Sequence, residues 1–336
     1  MRSKAKGDIR GKVEISLSAF TIFAESMAVS KKFHFLINPI SGGGQGKEVF
    51  DFLPEIMRSM DFKEDEWKRE FSVIDLFEEQ IKDALASSEC VIAVGGDGTM
   101  TAVFSVLLQH EEFRHIKIGL IPLGTGNDLA RVLNLYSALV DRGLLYIVRK
   151  LVVAKSKDFD LWQVNGKFAM ANYFSAGIDA HIAYDFNRDR KEGRIAGNSV
   201  LKNKLHYVKR FFANKDYRLK SGELHITDEF GKKKIFPLQN NCTVIVGNIP
   251  SFAGGSNPFG KSNMADGLLE ILGIKSIQNF LRAISIGASS SVIKAREIEI
   301  HLQKDEFIQI DGEDFKNKLE MPISIKFGGK VNMLHL

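Results

Sequence analysis

Apolar runs of buried-strand length occur at His34 to Ile37, Val91 to Val94 and Ile118 to Ile121, and each passes through a glycine-rich segment into residues with helical spacing. Helices are predicted over Val49 to Met60, Phe77 to Ser87, Met100 to His110 and Asp128 to Leu133. Strand, tight loop and helix in alternation from Lys32 to about Lys150 predict a doubly wound α/β unit, with a parallel sheet covered on both faces. After Lys150 the runs become short and closely spaced. Asp158 to Val164, Phe168 to Asn172, Gly222 to Thr227, Ile235 to Leu238, Thr243 to Gly247, Leu268 to Leu272, Arg296 to Leu302, Phe307 to Ile310 and Ser324 to Phe327 all read as strands. They predict a β-rich antiparallel, sandwich-like unit with helices inserted over 179–213 and 276–290. The chain is therefore divided into an extension at 1–30, expected to be poorly ordered, an α/β domain at 31–150 and a β-rich domain at 151–336.

The three glycine-rich segments carry the chemistry: Asn38 to Gly44, Gly95-Gly96-Asp97-Gly98-Thr99 and Gly124-Thr125-Gly126-Asn127-Asp128. Glycine lets the backbone take positive φ and approach a ligand, and the amides that open the following helix point outward unpaired. Ligands of open α/β sheets sit at the carboxyl ends of the strands, where this reading puts all three loops. They imply a nucleotide-phosphate site. They are neither a Walker A loop, since no Gly-Lys-Ser/Thr follows, nor a dinucleotide fingerprint.

With 44% hydrophobic and 26% charged residues in 336, the composition is that of a folded protein with a large core. Cys90 and Cys242 are the only cysteines, too few for cysteine-rich zinc modules, and read as buried free thiols in a reducing, cytoplasmic setting. No apolar run is long enough to span a bilayer. The apolar stretch Ile15 to Ala24 behind a basic start imitates a signal peptide but is short and mixed with serine and threonine, so residues before Met27 read as an extension. The formal charge is only +5, but Lys202, Lys204, Lys209, Arg210, Lys215, Arg218 and Lys220 interleave with Leu205, Tyr207, Phe211, Phe212 and Tyr217. That segment suits peripheral contact with an anionic membrane, or equally a helix packing its aromatic face on its own domain. No nucleic-acid-binding module accompanies it. The eight histidines show no metal-ligand spacing.

The wording Asn38-Pro39-x-Ser41-Gly42-Gly43, Gly95-Gly96-Asp97-Gly98-Thr99 and Pro122-Leu123-Gly124-Thr125-Gly126-Asn127-Asp128-Leu129-Ala130-Arg131 resembles the catalytic domain of the diacylglycerol kinase family. The resemblance continues through Asn172 to His181, Leu201 to Leu205, Asn248 to Ser251, Gly254 to Asn257 and Asp266 to Glu270, and ends at Asp311-Gly312-Glu313. It covers roughly residues 31 to 330 and is closer to the eukaryotic-type enzymes than to shorter bacterial relatives. It implies an NAD-kinase/phosphofructokinase-like first domain, a last strand that returns to it, and a catalytic core without the zinc or EF-hand regulators of many relatives. The implied activity is transfer of phosphate from ATP, with Mg²⁺, to diacylglycerol, giving phosphatidic acid at a membrane surface. Sphingoid-base and ceramide kinases share the three loops, NAD kinases share Gly-Gly-Asp-Gly-Thr, and a nucleotide-binding membrane adaptor without turnover is the alternative of another class. Whether the chain works alone or as a homodimer stays open.

Phosphoryl transfer needs a phosphate cradle, a divalent cation and a base. The amides of Ser41, Gly42, Gly43, Gly95, Gly96, Gly98 and Thr99 are expected to hold phosphate, with side-chain hydrogen bonds from Asn38, Thr99 and Thr125. Gly124, Gly126, Asn127 and Asp128 complete the nucleotide site. Asp97 is expected to meet the γ-phosphate through Mg²⁺, though Asp-Gly is also an ordinary turn. The resemblance makes Glu313 the base, in a half-buried pocket that would raise its pKa. It also points to Asp266, with Glu270, as ligands of a second Mg²⁺, although a two-acid Asp-Asp-Gly in bacterial relatives is Ala265-Asp266-Gly267 here. Asp179 and His181 are expected to line the acceptor pocket.

Overall fold

The computed structural model describes residues 32–192, 214, 216–287 and 292–336. The extension at 1–30 and most of the basic, aromatic segment 201–220, with Lys202, Lys204, Lys209 and Arg210, lie outside the described residues.

Strands β1 (Phe33–Ile37), β2 (Trp67–Phe71), β3 (Cys90–Gly95) and β4 (Lys117–Pro122) pair in parallel in the order β2-β1-β3-β4. β1 and β3 are buried from end to end, as apolar runs must be when helices cover both faces. β2, Trp-Lys-Arg-Glu-Phe, has no apolar run to announce it and lies at the sheet edge, half-buried. The helices are α1 (Ser41–Arg58), α2 (Phe77–Ser87), α3 (Asp97–Gln109), α4 (Asp128–Val132), α5 (Leu135–Arg142) and α6 (Leu144–Leu151). α1 starts earlier than its apolar periodicity predicts. Its first turn is kinked, because Gly42, Gly43 and Gly44 hold φ of 64°, 73° and 100°, a left-handed run that only glycine takes without strain. The winding direction reverses between β1 and β3, which opens a crevice at their carboxyl ends.

The remainder is β5 (Lys155–Val164), β6 (Phe168–Met170), β7 (Tyr173–Gly177), α7 (Ile178–Lys191), β8 (Gly222–Asp228), β9 (Lys233–Pro237), β10 (Thr243–Gly247), β11 (Leu269–Ile274), α8 (Ile277–Ile286), β12 (Ile293–Leu302), β13 (Ile308–Ile310), β14 (Glu313–Asp314) and β15 (Ile323–His335). β7, β10, β11, β12, β8 and β13 pair antiparallel, and side chains alternate between two cores. Val244 and Val246 join Trp162, Phe174 and Ile298 on one face, while Ile245 joins Ile182, Phe252 and Phe280 beneath α7 and α8. Ser276 caps α8 by accepting from the Asn279 amide at 3.2 Å, a contact worth about 1 kcal/mol.

β15 makes one 15-stranded sheet of the whole. Its start pairs with β12, its length with β5, and Asn332 and Met333 lie parallel to Lys117 and Ile118 of β4. Register also fixes one edge of the antiparallel part. Tyr173 pairs with Gly247, Gly247 with Glu270, Leu269 with Ala295 and Ala295 with Asp228, while Ile310 pairs with Phe174. The segments 171–173, 248–255, 266–268 and 311–313 therefore emerge at that edge, whereas β8 runs in the direction of β11 and its 229–232 turn leaves the opposite way.

Candidate active site

The three glycine loops meet at the carboxyl ends of β1, β3 and β4. The Asn38 amide donates to Val94 O at 2.9 Å and the Leu123 amide to Gly95 O at 2.7 Å, so each loop is pinned to the neighbouring strand. Asn38 Nδ2 donates to Thr99 Oγ1 at 3.4 Å, and its Oδ1 accepts from the Ile40 amide at 3.2 Å. The second and third loops touch backbone to backbone: a Cβ on Gly124 would lie 2.7 Å from Gly96 Cα and 2.8 Å from Asn127 Oδ1. A Cβ on Gly44 would meet nothing within 4 Å, so the kinked first turn of α1 presents open backbone there, while one on Gly42 would lie 3.0 Å from Leu123 O of the third loop. Asn127, at φ 52°, turns its Nδ2 onto Gly124 O at 2.6 Å, and its buried Oδ1 lacks a partner.

Asp97 begins α3 between these loops. The backbone amides of Asp128 and Asn127 donate to its carboxyl, whose Oδ2 lies 3.0 Å from the Cβ position of Gly126. Its Oδ1 is buried without a hydrogen-bond partner. Burial first, then the charges of Asp128 and Asp311, push this carboxyl up to about 7. Burial first, then the charges of Asp128, Asp179, Asp97 and Asp311, hold the Tyr173 hydroxyl firmly protonated.

Asp128 is buried and faces the other half of the chain. It accepts from Ser251 Oγ at 2.5 Å and from the amides of Gly254 and Gly255 at 3.0 Å, a clasp between α4 and the loop after β10. Arg131, one turn on, donates to Gly126 O at 3.1 Å, stacks on Tyr136 at 3.8 Å and packs against Gly255.

Asp311 and Glu313 form the corner from β13 to β14. Asp311, at φ 51°, accepts from the amides of Ala171, Asn172 and Tyr173 at 2.8–2.9 Å and from Thr101 Oγ1 at 3.4 Å. Burial nevertheless pushes its carboxyl up to about 6. Asn187 Nδ2 on α7 donates to Gly312 O at 3.2 Å. The corner is thereby fastened on both sides, and Glu313 Oε1 hangs 3.9 Å from the Cβ position of Gly98. Glu313 is exposed, not half-buried as expected, because β14 is the outermost strand of the sheet.

Asp266 has other company. Lys294 Nζ lies 3.6 Å from its Oδ2 and 3.4 Å from Glu270 Oε1, since β11 and β12 pair Glu270 directly with Lys294. Glu270 is fully buried, and burial pushes its carboxyl up to about 7 against the pull of Lys294. Nearby Asp160, also raised by burial, accepts from the Gly267 amide at 2.6 Å.

Asp179 is fully buried between Ser175 Oγ, at 2.7 Å, and Gln309 Nε2, so it offers no surface to a pocket. His181 is half-buried and stacks on Phe307 at 3.9 Å. Cys90 and Cys242 are buried and form no disulfide, as expected. Sequence spacing shows no histidine cluster, yet cross-strand register brings His225, Glu299 and His301 to one face, with ligand atoms within 4.8 Å of one another. Each of these imidazoles is hydrogen-bonded to a glutamate two residues away. The more enclosed cavity, of about 230 Å³ beside Cys90, Lys117 and Leu334, lies at the amino ends of the parallel strands, away from the loops. The glycine loops lie at the opposite, carboxyl ends of those strands.

Comparison with known proteins bears on these loops. Residues 32–164 match the diacylglycerol kinase catalytic domain, and residues 169–314 match the diacylglycerol kinase accessory domain. The chain is 27% identical over 371 residues to diacylglycerol kinase iota of Mus musculus, with 98% of this chain and 34% of that protein covered. It is 30% identical over 341 residues to the eye-specific diacylglycerol kinase of Drosophila melanogaster, covering 89% of this chain and 22% of that protein. It thus spans about a third or less of the length of these relatives. A crystal structure described as a diacylglycerol kinase from Bacillus anthracis superposes with a TM-score of 0.65 at 20% identity, over 92% of this chain and 98% of that one.

Proposed function

Because the chain belongs to the diacylglycerol kinase family through both its catalytic and its accessory domains, we propose that its cleft transfers the γ-phosphoryl group of ATP to the free hydroxyl of diacylglycerol. The observation that carries the reading is the meeting of Asp97, the glycine cradle and Glu313 across two parts of the chain far apart in sequence.

The amides of Gly42 and Gly43 and of Gly96 to Gly98 bind the phosphates, those of Ser41, Gly44 and Thr99 being taken by Asn38 O, Ile40 O and Gly96 O, and Asn38 and Thr99 fix the two loops against each other. Thr125, Gly126 and Asn127 close the third side. The residues fit a divalent cation: Asp97 Oδ1 is a buried oxygen with no partner, close to two further carboxylates. A bound Mg²⁺ would offset the charge of the phosphates and keep Asp97 ionised. Asp128 acts at one remove by holding the 251–255 loop over α4.

Glu313 takes the proton of the acceptor hydroxyl. The freed oxygen attacks the γ-phosphorus, and the bond to the β–γ bridging oxygen breaks to release ADP. Glu313 is exposed in the free chain, so a lipid entering the cleft is what would desolvate it and make it a better base. Asp311 and Asn187 keep its corner in place. Asp266 is read as the partner of Lys294, whose ammonium stands where a second cation would neutralise Asp266 and Glu270. The test is incubation with labelled ATP and mixed micelles carrying diacylglycerol, sphingosine or ceramide. Label in phosphatidic acid supports the reading, and label confined to a sphingoid lipid or to free phosphate contradicts it.

A further inference from the structure

We propose that the outer face of β8 and β12 carries a metal site of a different chemistry from the phosphate loops, built for a transition ion such as Zn²⁺ from His225, Glu299 and His301, with Glu223 beside them. Strand register makes the site. His225 pairs with Glu299, and Glu223 pairs with His301. Residues two apart on a strand share a face, so the four side chains form a square with the imidazoles on one diagonal and the carboxylates on the other. Leu224, between the two β8 members, and Ile300, between the two on β12, point into the core instead. The square therefore lies at the surface, where its members are half-buried or exposed. The two rings are 4.5 Å apart, and ligand atoms of His225, Glu299 and His301 lie within 4.8 Å of one another. Each imidazole directs Nε2 at a carboxylate of the same square, His225 at Glu223 Oε2 (2.8 Å) and His301 at Glu299 Oε1 (2.6 Å).

The donor set selects the ion. Two imidazole nitrogens with one or two carboxylates suit Zn²⁺, which takes nitrogen at about 2.0–2.1 Å and carboxylate oxygen at about 2.0–2.2 Å in a tetrahedron. Mg²⁺ asks for an octahedron of oxygens and keeps several waters, so the ion proposed beside Asp97 is not drawn here. Mn²⁺ stands at the weak end of the divalent series and is held less tightly than Zn²⁺ by the same donors. The imidazoles bind as neutral rings with the proton on Nδ1, and Glu299 and Glu223 offset the double charge of the ion. The two hydrogen bonds do not by themselves account for the arrangement. Surface pairs of this kind add little to stability, and neither needs the ring of the other 4.5 Å away.

The role this gives the ion is a clamp. Among the described strands β8 joins the sheet through β12, and β9 joins it through β8. An ion that bridges His225 of β8 to Glu299 and His301 of β12 therefore ties the β8–β9 hairpin to the rest of the sheet. β12 stands five strands along from β14, the strand of Glu313. No part of the proposed phosphoryl transfer runs through the square, so the site stands or falls independently of the kinase reading.

The test is titration of the full, chelator-stripped chain, with Mg²⁺ present throughout, using Co²⁺ read by the visible absorption of tetrahedral coordination and Zn²⁺ in competition with a chromophoric chelator. Wild type and Asp97→Asn are expected to bind one tetrahedral ion per chain. His225→Ala and His301→Ala should each bind it at least about 100-fold more weakly, and Glu299→Gln about tenfold more weakly. Zn²⁺ at about 100 times its Kd should raise the melting temperature of wild type by about 4 °C and leave the histidine variants unmoved. In chelator the variants should melt with wild type, since these side chains lie at the surface; if one histidine variant fails to fold, the other and Glu299→Gln carry the comparison. Absence of tetrahedral absorption in wild type, binding retained by the histidine variants, or loss of the ion in Asp97→Asn alone overturns the proposal.

Discussion

Two clusters of acids stand out in this chain, and they are neutralised in different ways. Around Asp97, with Asp128 and Asp311 beside it, the compensation comes from backbone amides and leaves one buried oxygen unpartnered. Around Glu270 and Asp266 an ammonium is built in, because β11 and β12 register Lys294 against Glu270, though its charge and not a hydrogen bond compensates the two buried Glu270 oxygens. Amides stabilise a carboxylate without adding charge, so the first cluster keeps room for a cation and the second carries its own. Burial of acids is common to both. The source of the positive charge is what distinguishes the proposed reaction centre from the cluster around Lys294.

Removing one acid from each cluster should break the symmetry most visibly. Asp97→Ala is expected to lower turnover at least about 1,000-fold with the fold retained, since it removes the group proposed to meet phosphate and cation. Asp266→Asn should leave turnover within a few-fold of wild type. Comparable losses in the two variants, with unchanged melting curves, would dissolve the distinction.

Glu313→Gln comes next, with transfer slowed about 100- to 10,000-fold and ATP binding preserved. Asp97→Asn should instead be partly rescued by higher Mg²⁺ or by Mn²⁺. Rates for Glu313→Gln within a few-fold of wild type would return the base role to Asp97, whose carboxyl is the one raised to about 7 in the free chain.

Lys294→Met asks whether the second cluster depends on its ammonium. Stranding the fully buried Glu270 should cost about 3 kcal/mol of stability near pH 8. Near pH 5 the cost should be much smaller, because a carboxyl already raised to about 7 is protonated there. Equal destabilisation at both pH values in urea unfolding would mean that Lys294 acts through packing.

The smallest effect is on the pH dependence of the metal-free chain. Asp97, Asp311 and Glu270 keep protons in the folded state, up to about 7, 6 and 7, that the unfolded chain releases near pH 4. The folded state then binds more protons than the unfolded one, so stability falls as pH rises from about 4 to about 7 and levels off above that. The dependence is shared among the three groups, and Asp97→Asn should remove part of it. A stability that rises over this window would mean that the acids are ionised as they stand.

How much of this was legible in the sequence follows from the range of each interaction. The strand, loop and helix succession was readable because apolar runs and glycines act within a few residues, and the start of α1 was missed because three left-handed glycines do not look helical. β2 escaped because an edge strand can alternate charged and aromatic side chains. Asp97 and Glu313 could be nominated from their motifs, but not the exposure of Glu313, which depends on β14 ending the sheet. The clasp of Asp128 on Ser251, the seat of Asp311 on the Ala171 to Tyr173 amides and the pairing of Lys294 with Glu270 join residues that only strand register brings together. No spacing rule reaches them.

The most direct measurement is the binding of Mn²⁺, followed by electron paramagnetic resonance in the presence of a non-hydrolysable ATP analogue, for wild type, Asp97→Asn and Asp266→Asn. The account predicts one tightly held Mn²⁺ per chain in wild type and in Asp266→Asn, and binding weakened at least about 30-fold in Asp97→Asn. Undiminished binding by Asp97→Asn, or loss of the ion in Asp266→Asn alone, would contradict it.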